Sequence, residues 1–412
     1  MQRLGTLVAA ALLGACSPSS PTPADGPGVD AQQKQITIGT LNDESGPAAV
    51  IGRPWALGKR ILARQINEGG SGLLPDGWRV TLLERDHGYD TQRALQGFDE
   101  LRGRVLFFGT SFGTPQTLAL APRLARDRLV AFPASLCTRM QESEYTPPLG
   151  PTYRVETLRG IEWAVQQSRA AKVRLGVVWQ DDDYGRDALA AAQAAAKRLG
   201  LVEPVARSYD IGQPDYTAVV AALKRAGVTH VVLATVPNAT GPILGIAAQL
   251  DFHPLWLGNS PSWLDRFFDP KVVPPQLFGT YYWLSGTAYW GENVPFMRGF
   301  LAAYEKFGRE AAAPDFYILA SYAQGLLEME VARRMIAAGQ FSREGYRAAL
   351  RSLKGYDAQR VLPQPLDFTR FPYVSGTQAR VLKPEFGSQT WKVVAPYATP
   401  TDPPAGDAHG DD

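Results

Sequence analysis

The chain has 412 residues and a formal net charge of +2, and 45% of its residues are hydrophobic and 20% charged. This length exceeds what one hydrophobic core usually serves, and the composition is that of a globular protein, so two domains are expected and global disorder is excluded. The basic residues are scattered, which argues against nucleic-acid binding because such proteins concentrate lysine and arginine in patches.

The N-terminus is predicted to be an export signal. Arg3 precedes an apolar run over residues 4–13 that is too short to span a bilayer as a mature helix. The run leads into Leu-Gly-Ala-Cys, which resembles the lipobox of bacterial lipoproteins, so Cys16 would carry the lipid. Residues 17–35, rich in Ser, Pro, Asp and Gly, would form a flexible tether. The alternative is a plain secretory signal with a chance cysteine.

Alternating strand and helix patterns follow this segment. β-Branched and aromatic runs predict strands, and apolar residues at helical spacing predict helices between them. The predicted strands cover residues 35–40, 78–83, 105–108 and 129–132, and the predicted helices lie around 57–66, 91–101 and 115–125. This alternation predicts one doubly wound α/β lobe.

The alternation then starts again, which predicts a second lobe built like the first. Its predicted strands cover residues 173–179, 204–208, 230–235, 255–257 and 278–283, and its predicted helices begin at 157 or cover 188–199, 216–226 and 241–250. Helices over 295–307, 315–338 and 343–353 follow, and then a hairpin with strands at 379–382 and 390–394.

An acidic turn, Gln-Asp-Asp-Asp-Tyr-Gly at residues 180–185, separates the strand at 173–179 from its helix. Open α/β sheets hold ligands at the carboxyl ends of their strands, so Tyr184 is a candidate ligand contact. The alternative is that the aspartates cap the helix and Tyr184 packs on the turn.

Several short sequence markers occur in these lobes. They are Ser-Gly-Pro at 45–47, Phe-Gly at 108–109 before a Ser/Thr turn, Phe-Pro-Ala at 132–134, Asp-Tyr-Gly at 183–185, and Asp357 followed by Pro-Leu-Asp-Phe at 365–368. Together they resemble the leucine/isoleucine/valine-binding family, the type I substrate-binding proteins of ABC importers. The resemblance covers about residues 36–394 and includes the lipoprotein-like signal.

The resemblance implies an α/β fold of two doubly wound parallel-sheet lobes joined by a three-crossover hinge, with crossovers near residues 153, 284 and 364. Such lobes close on a ligand by hinge motion. The implied divisions are residues 1–35 for the signal and tether, 36–153 with 285–362 for lobe 1, 154–284 with 363–396 for lobe 2, and 397–412 for a disordered tail.

The resemblance also implies partners and a location. The expected partners are a small-molecule ligand, the permease subunits of a membrane transporter and, through Cys16, a bacterial membrane. Nucleic acid is not expected as a partner. The protein is expected in the periplasm as a monomer, without a cofactor or a metal ion.

Family members that bind α-amino acids hold the ligand carboxylate with backbone amides and hydroxyls at two turns of lobe 1. The first turn carries over as Thr114, and the second as Ala134, Ser135 and Leu136, where Leu136 replaces the family's threonine. Further candidates near these strand ends are Ser111, Trp179 and Trp283.

On lobe 2 the family's aromatic position corresponds to Tyr184, and another of its tyrosines corresponds to Val236. The family's acidic partner of the ligand ammonium corresponds to Asn259 and Ser260, and neither of these residues carries a carboxylate. A buried ammonium without an anion costs several kcal/mol, so this departure predicts a ligand other than a zwitterion. If the alignment with the family shifts by a residue or two in these loops, an aspartate supplies the charge and amino-acid binding remains the alternative. The aspartates in reach are Asp181, Asp182 and Asp265.

Residues 252–296 are rich in aromatic rings, which predicts an aromatic-lined cleft for an apolar ligand such as an aromatic acid, an amide or a sterol-like lipid. The alternative is that the rings fill a core. They are Phe252, Trp256, Trp263, Phe267, Phe268, Phe278, Tyr281, Tyr282, Trp283, Tyr289, Trp290 and Phe296.

One enzyme motif is present. Residues 109–113 match the G-x-S-x-G pattern of a nucleophile elbow, with Ser111 as the nucleophile. A hydrolase also needs an acid and a histidine, and the chain has only 4 histidines. The ligand-binding turn of the resembled family explains the same residues, and the sequence contains no HExxH, Walker A or zinc-type cysteine pattern. A non-enzymatic protein is expected, with serine hydrolysis as a remote alternative.

The anchor is testable by one substitution. Cys16→Ser should release the protein from membranes, because the acyl chains on that cysteine would be its only attachment. Membrane sedimentation of the two proteins measures this, and a variant that still sediments with membranes would contradict the lipoprotein prediction.

Overall fold

A computed structural model describes residues 25–168, 173–374 and 376–401. Its β-strands are β1 (Val29–Asp30), β2 (Gln35–Asn42), β3 (Arg79–Asp86), β4 (Phe107–Phe112), β5 (Ala131–Ala134), β6 (Leu175–Gln180), β7 (Val205–Tyr209), β8 (His230–Ala234), β9 (Leu255–Gly258), β10 (Tyr281–Ser285), β11 (Lys354–Tyr356), β12 (Leu366–Asp367), β13 (Ala379–Glu385) and β14 (Thr390–Ala398). Its α-helices are α1 (Ala49–Asn67), α2 (Thr91–Leu101), α3 (Thr114–Asp127), α4 (Tyr153–Gln167), α5 (Asp183–Arg198), α6 (Thr217–Arg225), α7 (Pro237–Gln249), α8 (Pro295–Phe307), α9 (Phe316–Ala337) and α10 (Arg343–Arg351). In these ranges we find no helix with both the length and the apolarity to cross a bilayer.

The first sheet has five strands. β3, β2, β4 and β5 lie side by side and run parallel, with Ile38 of β2 opposite Leu82 of β3 and Phe107 of β4. β1 pairs antiparallel with the start of β2, and Val29 is buried against the lobe 1 core. Residues 25–34 therefore belong to the folded lobe rather than to the flexible tether expected there, while Cys16 and the signal lie outside the described residues.

The second sheet has seven strands. β7, β6, β8, β9 and β10 run parallel in the same spatial order as the strands of the first sheet, which confirms the predicted repeat of the α/β unit. β13 and β14 extend the sheet beyond β10 as an antiparallel hairpin. β14 continues to Ala398, so the sheet reaches into the segment expected to begin the disordered tail.

The chain passes between the two sheets three times, over residues 135–152, 286–294 and 368–378. After the second passage, α8, α9 and α10 add to the core of lobe 1, so each lobe is built from separated parts of the chain. The predicted fold class, two doubly wound parallel-sheet lobes joined by three crossovers, is confirmed. The exact lobe boundaries remain a prediction.

Helix α9 packs closely on α1. A Cβ at Gly58 of α1 would lie 2.5 Å from the carbonyl oxygen of Ile318, so the approach of the two helices requires glycine there. Lys59 of α1 also forms a buried ion pair with Glu328 of α9. These two contacts hold α9 against α1.

Candidate ligand-binding cleft

The two lobes enclose a cleft of about 990 Å³, counted out to its opening to solvent. Lobe 1 lines it with residues from α1, the β4–α3 and β5 strand ends, and α9, and lobe 2 lines it with residues from α4, α5, α7 and the turn after β9. Most of the lining is apolar. Its aliphatic members include Ala48, Ile51, Leu136, Leu149, Val236, Leu319, Ala320, Ala323 and Val361.

Most of the predicted site residues line this cleft. They are Thr114, Ala134, Ser135, Leu136, Tyr184, Val236 and Ser260. Each lies at or shortly after the carboxyl end of a parallel strand, which is where such sheets place their ligands.

The turn that carries Thr114 is tight. β4 ends at Phe112 and α3 begins at Thr114, and the one residue between them, Gly113, has φ +89°. Glycine adopts this left-handed conformation without a steric penalty. The Thr114 Oγ1 atom lies 2.8 Å from Ser135 Oγ, so the two lobe 1 turns join in one buried hydroxyl pair.

Four predicted residues do not line the cleft: Ser111, Trp179, Asn259 and Trp283. Ser111 lies inside β4, and its buried hydroxyl is 2.8 Å from Thr117 Oγ1. The strand predicted to end at residue 108 continues to Phe112, so Ser111 does not occupy the exposed turn that a nucleophile elbow requires.

Neither of the two tryptophans borders the cleft. Trp283 is fully buried, packs against Phe316 and donates from Nε1 to the Ser260 carbonyl oxygen at 3.2 Å. The guanidinium of Arg186 lies 5.9 Å from the ring of Trp179. Trp283 therefore supports the cleft wall rather than forming it.

The prediction that the aromatic segment 252–296 lines the cleft is wrong, since none of its described rings borders the cavity. Trp263 is the centre of a lobe 2 cluster and contacts Trp391 at a ring-centroid distance of 4.5 Å. Both faces of a buried parallel sheet need apolar cover, and these rings supply it. The aromatic lining comes instead from Trp55, Tyr89, Phe112, Tyr153, Tyr184, Phe316 and Tyr317.

Glu156 is the site residue that sequence reasoning missed. Helix α4 begins at Tyr153, earlier than predicted, with Thr152 as its N-cap, and Glu156 lies in its first turn with 0% exposure. Its Oε2 atom accepts from Ser260 N at 2.9 Å and Ser260 Oγ at 3.1 Å. A carboxyl group from α4 therefore lies beside Ser260, although positions 259 and 260 themselves carry none.

Asn259 completes the contacts of this carboxyl group by donating from Nδ2 to Oε2 at 3.3 Å. The other oxygen, Oε1, is buried and has no hydrogen-bond partner in the described part of the chain. Burial raises the pKa of Glu156 to about 8, and the hydrogen bonds from Ser260 and Asn259 offset only part of that effect. The carboxyl group is thus mainly protonated at pH 7.

The aspartates considered as substitutes for this carboxylate lie elsewhere. Asp182 caps α5 and accepts a hydrogen bond from Tyr89 Oη at 3.1 Å, which connects the two lobes. Asp265 accepts from Trp263 Nε1 at 2.8 Å, and Asp181 pairs with Arg186 at 2.7 Å. None of the three borders the cleft.

Further polar contacts bridge the lobes at the rim. Asn238 of α7 donates to the Pro47 carbonyl oxygen at 2.9 Å, and Tyr317 of α9 donates to that of Trp263 at 2.8 Å. The Ser-Gly-Pro marker thus borders the second lobe. The lobes are in contact across the cleft, which is the arrangement of a closed state.

The sequence profile of the periplasmic binding protein family matches residues 35–371. The chain belongs to the periplasmic binding protein family. The predicted family is thereby confirmed. A search of curated protein sequences found no match.

Solved structures of similar fold come from several organisms. A fatty acid ABC transporter substrate-binding protein from Thermomonospora curvata is 24% identical, with a TM-score of 0.84 over 91% of this chain and 95% of that one. A branched chain amino acid ABC transporter protein from Thermus thermophilus, with bound valine, is 20% identical, with a TM-score of 0.78 over 89% and 97%. A possible leucine/isoleucine/valine-binding protein from Rhodopirellula baltica is 19% identical, with a TM-score of 0.77 over 91% and 98%. At these identities the likeness shows the fold.

The environment of Glu156 predicts how the stability of this binding protein depends on pH. Its pKa rises from an ordinary value of 4.5 to about 8 on folding, so the folded state binds the proton more tightly than the unfolded state. The resulting stabilisation is complete below about pH 4.5 and is lost as pH rises through about 8. The Glu156→Gln side chain cannot ionise. The melting temperature of this variant minus that of the wild type should therefore increase from pH 5 to pH 9.

Thermal unfolding of both proteins across this range measures the effect. Glu142→Gln is the control, because the Glu142 side chain is 62% exposed and its replacement removes a carboxylate outside the cleft. A difference for Glu156→Gln that changes with pH no more than the control's would contradict the described environment.

Proposed function

We propose that this periplasmic binding protein captures a small, largely apolar, aromatic or lipid-like molecule in the interlobe cleft and delivers it to the permease subunits of an ABC importer. The observation that carries the proposal is the lining of the cleft. Its walls are mostly apolar on both lobes, and no lysine or arginine lies among the described residues that border it.

The apolar lining of both lobes supports the same ligand class. Apolar burial contributes about 25 cal/mol per Å². A ligand with an apolar body would gain this contribution on both sides of the cleft.

Two departures from the amino-acid-binding pattern also favour an apolar ligand over an amino acid. Leu136 on lobe 1 and Val236 on lobe 2 border the cleft where the resembled amino-acid binders carry hydroxyl groups. A free carboxylate would also meet no cation on the described lining, and an unpaired buried charge costs several kcal/mol. The fold shared with the fatty acid protein of Thermomonospora curvata supports an apolar body for the ligand, whereas the lining without a cation argues against a charged carboxylate head.

The alternative ligand is a branched-chain amino acid, and Glu156 is the observation that favours it. An ionised Glu156 would pair with an ammonium group, while Thr114 and Ser135 would hold the carboxylate. The valine-bound protein from Thermus thermophilus shares the fold. The protonated state of Glu156 at neutral pH weighs against this alternative.

The location and assembly follow from the same proposal. The protein would be exported, anchored to a membrane through Cys16, and active as a monomer that binds its ligand without chemical turnover. The buried position of Ser111 supports the absence of hydrolysis.

Native mass spectrometry of the purified protein tests the ligand class. We expect a co-purified apolar compound, which Ala320→Trp should abolish because Ala320 lies on the cleft wall and an indole there would fill the space. Ala337→Trp on the exposed end of the same helix is the matched control and should retain the compound. Co-purified leucine or valine, or calorimetric binding of either at about −8 kcal/mol or better, would favour the alternative.

A further inference from the structure

The two oxygens of the Glu156 carboxyl group have different surroundings. Oε2 accepts hydrogen bonds from Ser260 N, Ser260 Oγ and Asn259 Nδ2. Oε1 is buried, has no partner in the described part of the chain, and belongs to a residue that borders the cleft. All the donors therefore lie on one side of the carboxyl group, and the oxygen on the other side is left without a partner among the described residues.

No described cation compensates a negative charge on this group. Arg159, on the same helix, donates to the Pro396 carbonyl oxygen, and Arg380 of β13 pairs with Glu292. The titratable groups that face Glu156 are the phenols of Tyr153, Tyr184 and Tyr281, which come from α4, α5 and β10. Burial raises the pKa of each phenol, so all three are neutral at physiological pH.

The position of the proton follows from these contacts. Oε2 accepts hydrogen bonds from Ser260, and a proton on that oxygen would weaken them, whereas Oε1 has no competing donor. The hydroxyl of the protonated group is thus at Oε1, on a side chain that borders the cleft. A buried hydroxyl donor needs an acceptor, and a ligand in the cleft is a direct source of one.

We infer that Glu156 acts as an uncharged hydrogen-bond donor that selects an apolar ligand with a neutral acceptor head, such as the carbonyl of an amide, a ketone or an ester, over one with an ammonium head. This inference rests on the proposed function, since it specifies the head group of the apolar ligand. Ser260 and Asn259 position the donor, and Glu156 is the residue that determines specificity.

Two probe compounds with the same alkyl tail and different head groups test this selectivity. Decanamide presents a neutral carbonyl and decylamine an ammonium, so their dissociation constants compare the heads at constant apolar contact. Decanamide should bind at pH 6.5 at least about tenfold more tightly than decylamine, which is the effect of roughly one good hydrogen bond and one avoided unpaired charge. The affinity for decanamide should fall as pH rises through about 8, because the donor proton is lost there.

Two variants identify Glu156 as the source of this selectivity. Glu156→Gln keeps a donor on the cleft side and an acceptor toward Ser260, so it should bind decanamide like wild type but without the pH dependence. Glu156→Leu has no donor and should bind decanamide about tenfold more weakly at pH 6.5. If the leucine variant fails to fold, the pH profile of the glutamine variant decides alone.

The outcomes separate the inference from the proposed function. If both probes bind equally well and the Glu156 variants change nothing, the apolar function stands and the inference fails. If decylamine binds more tightly than decanamide, and more so as pH rises toward 8, Glu156 is an ammonium partner and the inference fails. If neither probe binds and native mass spectrometry shows no apolar compound, the proposed function fails and the inference fails with it.

Discussion

The parallel direction of the strands is the constraint on which the cleft depends. In each sheet the strands end at the same edge, and the connections that leave those edges begin the helices α3, α5 and α7. Three crossovers bring the two edges face to face. Residues that are distant in sequence, such as Thr114, Tyr184 and Ser260, therefore border one cavity.

Much of the fold and part of the site follow from local sequence patterns. Strands and helices were predictable because buried parallel strands are apolar runs and the helices carry one apolar face. Tyr184 was predictable because it comes shortly after such a strand, where α/β sheets bind ligands, whereas Thr114 was placed through the family resemblance. The β4 boundary was less clear, because Gly109 and Thr110 interrupt the apolar run although the strand continues through them to Phe112.

Other features depend on tertiary contacts that no local pattern encodes. Glu156 and Ser260 are separated by 104 residues, and only the packing of α4 against the end of β9 brings them together. An aromatic ring in a sequence is equally compatible with a core or a cleft wall, so the segment around Trp263 could not be placed by composition. The strand β1 was missed because two residues carry no periodic signal.

The electrostatics of the cleft link its architecture to its ligand. A carboxyl group buried among apolar and phenolic side chains without a cation is more stable when protonated. The protonated carboxyl group is compatible with an apolar cavity, because an uncharged donor can bind a lipid-like ligand. An ionised carboxylate would instead favour a cationic ligand. The hydroxyl pair of Thr114 and Ser135 supplies a second uncharged polar point on the opposite lobe.

The crystal structure of the protein with the ligand that co-purifies with it tests the central claim most directly. The account predicts an apolar body along Leu136, Val236 and Ala320, with an uncharged acceptor atom about 2.6–3.2 Å from Glu156 Oε1. An amino acid bound with its nitrogen on Glu156 and its carboxylate on Thr114 and Ser135 would contradict it.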